Sequence, residues 1–377
     1  GAVLIDIPKD VQTASCPVDS WPEPGKAEAS PLPDADALQR AATMIRASQR
    51  PLLYLGGGVI QSGSAGLARR LAEHLDAPVT MTLMGLGAIA PEHPLHLGML
   101  GMHAAPATHQ ALEECDLLIA VGARFDDRAT GRLNAFCPGA QVVHVDIDAA
   151  ELGKLRRADA PVRAGADEAL KALLDACPPQ PRPQWRQRLA AIKAEAPKAD
   201  GGLAQRLFEA CDLALPDATV TSDVGQHQMW AAQHYPFRRE RQWLSSSGLG
   251  TMGFGLPAAI GASLAQPGQA VLCISGDGSL LMNLQELDTL VESGAEVKLL
   301  LLDNRSLGLV HQQQDLCYGR NRYASEFESG PDWIALAKAF GLAAVDLEPE
   351  ADPLSALQAA LKQPGSVLIR AAIGLQA

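Results

Sequence analysis

Gly276-Asp277-Gly278-Ser279 and Asp303-Asn304 are the residues whose types and spacing could do chemistry. A carboxylate and a side-chain amide a few ångströms apart make half of an oxygen-only site for Mg2+ or Ca2+. Phosphate oxygens, a main-chain carbonyl and water would complete it. Glycines on either side of the acid let the backbone approach a diphosphate, and a helix opening there favours negative charge. The plainer reading is a Gly-Asp-Gly turn and an ordinary strand end. The surroundings separate the two. Leu272–Ser275 and Val297–Leu302 are apolar runs that read as buried parallel strands. Between them, Leu280 to Ser293 carries Leu284, Leu287 and Val291 at helical spacing. A strand–helix–strand unit of this kind sets both side chains at the carboxyl ends of strands, where open α/β sheets bind ligands.

The rest of the composition narrows the class. A chain of 377 residues has room for two domains and part of a third. With 47% hydrophobic but only 4% aromatic residues, its cores read as aliphatic α/β layers. A net charge of −12 without a long basic run argues against nucleic acid and against an anionic membrane surface. A diphosphate would therefore have to be held locally, by metal and backbone amides. The seven cysteines (16, 115, 137, 177, 211, 273, 317) show no C-x-x-C spacing and read mostly as small core residues in a reducing cytosol. No transmembrane run or signal peptide is visible, so the expected location is cytoplasmic.

Taken in order, Gly1 to Val11 reads as a strand running into a loop, and the proline-rich stretch from Cys16 to Asp34 as a linker. A helix from Asp34 or Asp36 to Arg46 opens an alternating series. It runs strand Leu52–Leu55, helix Ala65–Leu75, strand Val79–Thr82, helix Ala107–Glu114, strands Leu117–Val121 and Gln141–Val145, and helix Ala149–Leu155. After a second linker, helical over Trp185–Glu195, the alternation resumes from Gly202 to the end. The expected fold is α/β, with two doubly wound parallel-sheet domains. Gly56, Gly57 and Gly58 end the first strand and serve either a plain turn or contact with a diphosphate. Arg124 and Arg128 follow another strand, where guanidinium can meet phosphate or pair with Asp126 and Asp127. Asp146 ends a strand at the position where an acid takes ribose hydroxyls in dinucleotide folds.

These motifs resemble a family. GDG, a helix, an apolar strand and a closing Asn are similar to the diphosphate-binding motif of thiamine-diphosphate-dependent enzymes. The runs SDVGQHQMW at 222–230, GLGTMGFGLP at 248–257 and DNRSLGLV at 303–310 narrow the resemblance to the acetohydroxyacid (acetolactate) synthase large catalytic subunit. It implies that residues 1–13 close a preceding pyrimidine-binding domain and 14–34 form a linker. Residues 35–177 would be a central FAD-binding domain, 178–201 a linker, and 202–377 the thiamine diphosphate domain. The pyrimidine domain with its activating glutamate, and a C-terminal tail, would lie outside this sequence. No catalytic residue is then expected in the chain itself.

The resemblance further implies that Asp277, Asn304 and the main-chain oxygen of Ser306 bind Mg2+. Gln226, His227, Gly276, Gly278, Ser279 and Gly308 would meet thiamine diphosphate, with Gly250, Thr251, Met252 and Leu309 along its rings. FAD, in a structural role, would meet Gly56 to Gly58, Thr82, Leu83, Met102, His103, Gly122, Ala123, Arg124, Asp126, Arg128, Asp146 and Ile147. Ala104 and the Ala166-Asp167 order depart from the family pattern there. The implied reaction decarboxylates pyruvate and joins the two-carbon unit to a second 2-oxoacid, pyruvate or 2-oxobutyrate. Biosynthetic members carry a tryptophan where this chain has Gln313, and a methionine where it has Leu309. That implies a leaning toward acetolactate made from two pyruvates. A homo-oligomer with a large exposed patch, and a small regulatory subunit, are the implied partners. The alternatives are another thiamine-diphosphate decarboxylase or carboligase, and a non-catalytic cofactor-binding fragment or regulatory partner.

Overall fold

The computed structural model describes residues 4–25, 29–197, 201–246 and 248–374. Residues 1–30 form one unit and 31–377 another. In the first, the strand expected over residues 1–11 is not formed by its described part. Helix Lys9–Thr13 stands there instead, opened by Pro8 at φ −58. A lone strand leaves its ladder groups unpaired, whereas a short helical turn satisfies its own. Residues 1–3 lie outside the described residues.

The second unit holds two six-stranded sheets, every strand pair parallel. The first is built from β1 (Pro51–Leu55), β2 (Val79–Met81), β3 (His96–Met99), β4 (Leu117–Val121), β5 (Gln141–Asp146) and β6 (Ala160–Arg163), in the order 3-2-1-4-5-6. The second is built from β7 (Thr219–Ser222), β8 (Trp243–Ser245), β9 (Val271–Gly276), β10 (Lys298–Asp303), β11 (Ala343–Asp346) and β12 (Val367–Ala372), in the order 11-12-10-9-7-8. Strand order reverses between β1 and β4 in one sheet and between β7 and β9 in the other. Such reversals open a crevice beyond the strand ends.

Burial on both faces explains the apolar runs. Along β9, Leu272 and Ile274 enter one core, while Val271 and Cys273 enter the other. Helices Ala35–Ala47, Ala65–Leu75 and Ala166–Ala176 cover one face of the first sheet. Helix Pro183–Glu195, from the expected linker, covers part of the opposite face through Trp185 and Leu189. The Trp185 indole N–H also donates to Pro51 O at 3.0 Å. The two sheets share apolar side chains: Leu86 and Met99, which follow β2 and end β3, lie in the core formed by helices Gly202–Ala214 and Gln226–His234 on the second sheet.

Two local expectations fail, and three elements were not expected. Residues 149–155 form turns and a bend rather than a helix, because Gly153 sits at φ +72 and Asp148 turns its carboxylate onto the N–H of Ala150 at 2.9 Å. The helix expected over Leu280–Ser293 is broken into Asp277–Leu280, a 3-10 turn at Leu281–Asn283, and Glu286–Ser293. Leu287 and Leu290 face the core, while Val291 is exposed. Finally, β3, β6 and helix Ala166–Ala176 carry no expectation from the sequence, being short or masked by the turns around them.

Candidate thiamine diphosphate site

The register fixes the site. Leu302 pairs with Gly276, so Asp303 lies level with Asp277 and Asn304 one residue beyond. Asp303 is already engaged: Arg370 donates to it at 2.7 Å and also holds Asp346 and Glu348. Asp277, 5% exposed, has no cation partner among the described residues. Burial, with Asp303 nearby, pushes its carboxyl up to about 6, against the pull of the Gly278 and Ser306 N–H groups. Ser306 N–H also donates to Asn304 Oδ1 at 3.1 Å. The Ser306 N–H therefore holds the amide oxygen in place, within electrostatic reach of the acid.

That loop is strapped from behind. Ser306 and Glu326 form an antiparallel bridge, with Phe327 N–H donating to Arg305 O at 2.8 Å and Leu307 N–H to Ser325 O at 2.9 Å. In this pattern the main-chain groups of Ser306 itself face away from the strap, toward the crevice side. Its hydroxyl donates to Ser325 O at 2.6 Å, leaving the carbonyl as its remaining oxygen.

His227 occupies the reversal between β7 and β9, in the second turn-opening position of helix Gln226–His234. Its ring is wedged between two glycines. A Cβ on Gly225 would lie 2.6 Å from Cε1, and one on Gly276 would lie 2.7 Å from Nδ1. Burial pushes the imidazole down to about 4, with Asp223 pulling the other way. Its Nε2 is buried and has no partner among the described residues. The pocket it lines also takes in Gln226, Met252, Gly276, Asp277, Gly278, Ser279, Asn304, Ser306, Gly308 and Leu309. A Cβ on Gly308 would meet Gln226 Oε1 at 2.3 Å, so this wall too is closed to side chains. This buried nitrogen, the acid and amide oxygens in the same pocket and bare backbone walls fit a metal-held diphosphate. Gly276→Ala should displace the His227 ring and weaken Mg2+-dependent thiamine diphosphate binding at least about tenfold with the fold retained, by calorimetric titration.

Comparison with known proteins bears on the same elements. Residues 223–371 match the thiamine pyrophosphate enzyme C-terminal TPP binding domain, and residues 38–173 the thiamine pyrophosphate enzyme central domain. Acetolactate synthase isozyme 1 large subunit of Escherichia coli (strain K12) is 49% identical, over 99% of this chain and 67% of its own length. Isozyme 2 of the same organism is 42% identical, over 99% of this chain and 68% of its own length. The acetolactate synthase large subunit of Parasynechococcus marenigrum is 46% identical, over 98% of this chain and 62% of its own length. The chain belongs to the acetolactate synthase large-subunit family. It spans about two thirds of the length of these relatives.

Within the acetolactate synthase frame, the other expected residues fall in two groups. Gly250 and Thr251 sit beside the pocket wall: Val224 N–H donates to Thr251 O at 3.4 Å, and Met252 lines the pocket directly. Ser279 uses its hydroxyl proton on Val224 O at 3.1 Å. Leu309 lines the pocket from helix Gly308–Cys317, whereas Gln313, one turn on, is exposed and outside that lining.

The residues expected at flavin stand at or beyond the strand ends of the first sheet, with Gly56 to Gly58 and Gly122 at the reversal between β1 and β4. Gly56 and Gly58 bond across to Val121 O and Gly122 O at 2.9 and 3.1 Å, and a Cβ on Gly56 would lie 2.0 Å from Gly122 O. Phe125, at φ +59, buries its ring edge-on against Tyr54, Phe136 and His144, while its neighbour Arg124 stays exposed. Arg124 and Arg128 have no ion pair among the described residues. Two free guanidiniums suit a phosphate. Asp126 caps helix Asp127–Thr130, Asp146 accepts from Asp148 N–H at 2.9 Å, and Thr82 accepts from Gly85 N–H. Ala123 is buried, Leu83 is half-buried, and Met102 and Ile147 are exposed. His103 offers its carbonyl to Gln233 at 2.8 Å.

Sequence reasoning passed over Asp223, Ser275, Trp230, Leu307 and Phe327. Asp223 and Trp230 stand inside the quoted 222–230 run and were legible as neighbours of His227. Phe327 comes from a segment without a period and carried no signal.

Proposed function

We propose that the chain is the part of an acetolactate synthase catalytic subunit that holds the diphosphate end of thiamine diphosphate, through Mg2+, and FAD. Asp277, Asn304 Oδ1 and the Ser306 carbonyl take the metal; His227 and Gln226 face the diphosphate; Met252 and Leu309 wall the rings. When bound, thiamine diphosphate supplies the nucleophilic carbon and electron sink that decarboxylation of a 2-oxoacid requires. The chain's own contribution is placement and exclusion of water by Met252, Leu307 and Leu309. The observation that carries the reading is the buried Nε2 of His227, without a partner among the described residues, in the same pocket as Asp277 and Asn304. Arg124 and Arg128 would take the FAD phosphates in a structural role.

Pyruvate is the proposed donor, with pyruvate favoured over 2-oxobutyrate as acceptor. Gln313, one helical turn from Leu309, supports this, since an amide offers no apolar wall for the extra methylene. The chain, supplied with a pyrimidine domain bearing the activating glutamate, should make mainly acetolactate when the two oxoacids compete. Gln313→Trp should shift the product ratio toward acetohydroxybutyrate by roughly tenfold. A strong 2-oxobutyrate preference in the unchanged chain would refute the assignment of acceptor.

Self-association is also proposed. Leu249, Met282, Leu316, Tyr318 and Tyr323 stand exposed on the thiamine half and offer apolar side chains to a second copy. The large-subunit names of the relatives support a smaller partner subunit. Among the described residues no helix is long and apolar enough to cross a membrane.

A further inference from the structure

We propose that Asp223 is the positioning residue of the diphosphate site, fixing the ring of His227 on one side and the Met252 loop on the other. The proposal rests on reading the pocket as the diphosphate site. Asp223 follows β7 at the strand reversal and is 1% exposed. Its carboxylate has no cation partner among the described residues. It accepts instead from Gly255 N–H at 2.7 Å and from the Ser275 hydroxyl. A buried carboxylate held only by neutral donors is costly, so its retention calls for a reason.

The contacts supply one. Ser275 lies on β9, one residue before Gly276, the glycine against which the His227 ring is packed. Gly255 opens helix Gly255–Ala265, three residues after Met252, and its carbonyl accepts from Thr221 Oγ1 on β7 at 2.9 Å. Asp223 thus joins β7, β9 and the helix that anchors the Met252 loop. Its own main-chain carbonyl lies by the His227 ring and favours a proton there, against the pull of burial. His227 lines the pocket, and its Nε2 is buried without a partner among the described residues. Asp223 does not line that pocket, so it acts on the diphosphate only through the two walls it holds.

A double-mutant cycle tests this, with thiamine diphosphate and Mg2+ titrated calorimetrically into the chain, Asp223→Asn, His227→Ala and the double variant. Asparagine keeps the shape and an acceptor for Gly255. Each single change should weaken binding about tenfold, and in the His227→Ala background Asp223→Asn should cost only the severalfold loss carried by the Met252 loop, well short of a second factor of ten. A general loss of structure would instead lower the affinity equally in both backgrounds. Losses that multiply overturn the proposal while leaving the diphosphate site standing. An unchanged chain that takes up no thiamine diphosphate overturns the site and the proposal together. Should Asp223→Asn fail to fold, Ser275→Ala loosens the same carboxylate from β9. It should weaken binding severalfold in the native background and not in His227→Ala; equal losses in both overturn the proposal.

Discussion

Asp277→Asn is expected to abolish Mg2+-dependent thiamine diphosphate binding and, at the same time, to raise the thermal midpoint of the ligand-free protein at neutral pH. The first effect follows from its place as the one charged oxygen at the strand tips not already held, since Asp303 is bound by Arg370. Its loss should reduce affinity by at least roughly a hundredfold. The second follows from burial, which lifts the Asp277 carboxyl to about 6. A carboxyl raised above its unfolded value stabilises the fold fully below about pH 4, and that stability is lost as pH rises through about 6. At pH 7.5 the ionised acid therefore strains the ligand-free fold, by about 1–3 kcal/mol, and asparagine relieves it. The two proteins should melt together near pH 4 and diverge above pH 6. Equal coenzyme affinity in both would remove the metal site from Asp277.

The second large effect is structural. Arg182→Ala should lower the stability of the fold by about 3–5 kcal/mol, measured by denaturant unfolding. Arg182 is 6% exposed and donates to Ile45 O at 2.9 Å, Ser48 O at 3.1 Å, Leu75 O, and Gln180 O at 3.3 Å. Ile45 and Leu75 are last-turn residues of helices Ala35–Ala47 and Ala65–Leu75, and Ser48 caps the first. One guanidinium thus closes the orphan carbonyls of two helices and meets the negative ends of both dipoles. Arg182→Lys should recover only part of the loss, because an ammonium cannot span the same fork. A loss below about 1 kcal/mol would mean that water replaces the guanidinium at those carbonyls.

Much of the second sheet was legible because its central strands β9 and β10 are largely apolar runs. The GDG and DN pair sits where two such runs end, so chemistry and scaffold were written together. Arg182 was not legible. It stands in a proline-rich stretch that reads as a linker, and nothing local shows that its partners lie more than a hundred residues away. The false helix at residues 149–155 has the opposite origin: an acceptable local pattern overruled by Gly153 and the side chain of Asp148. His227 was legible as a candidate, but the pinning of its ring was not, since Gly225 lies two residues before it and Gly276 comes from the end of β9, about fifty residues on. The same holds for Asp223, whose partners Gly255 and Ser275 meet only once the sheet is assembled.

Leu86, after β2, and Met99, at the end of β3, belong to the first sheet's half yet complete the core beneath helix Gln226–His234, which carries His227. A chimera that swaps one sheet for a homologue's would therefore leave this shared core mismatched unless Leu86 and Met99 are exchanged with it.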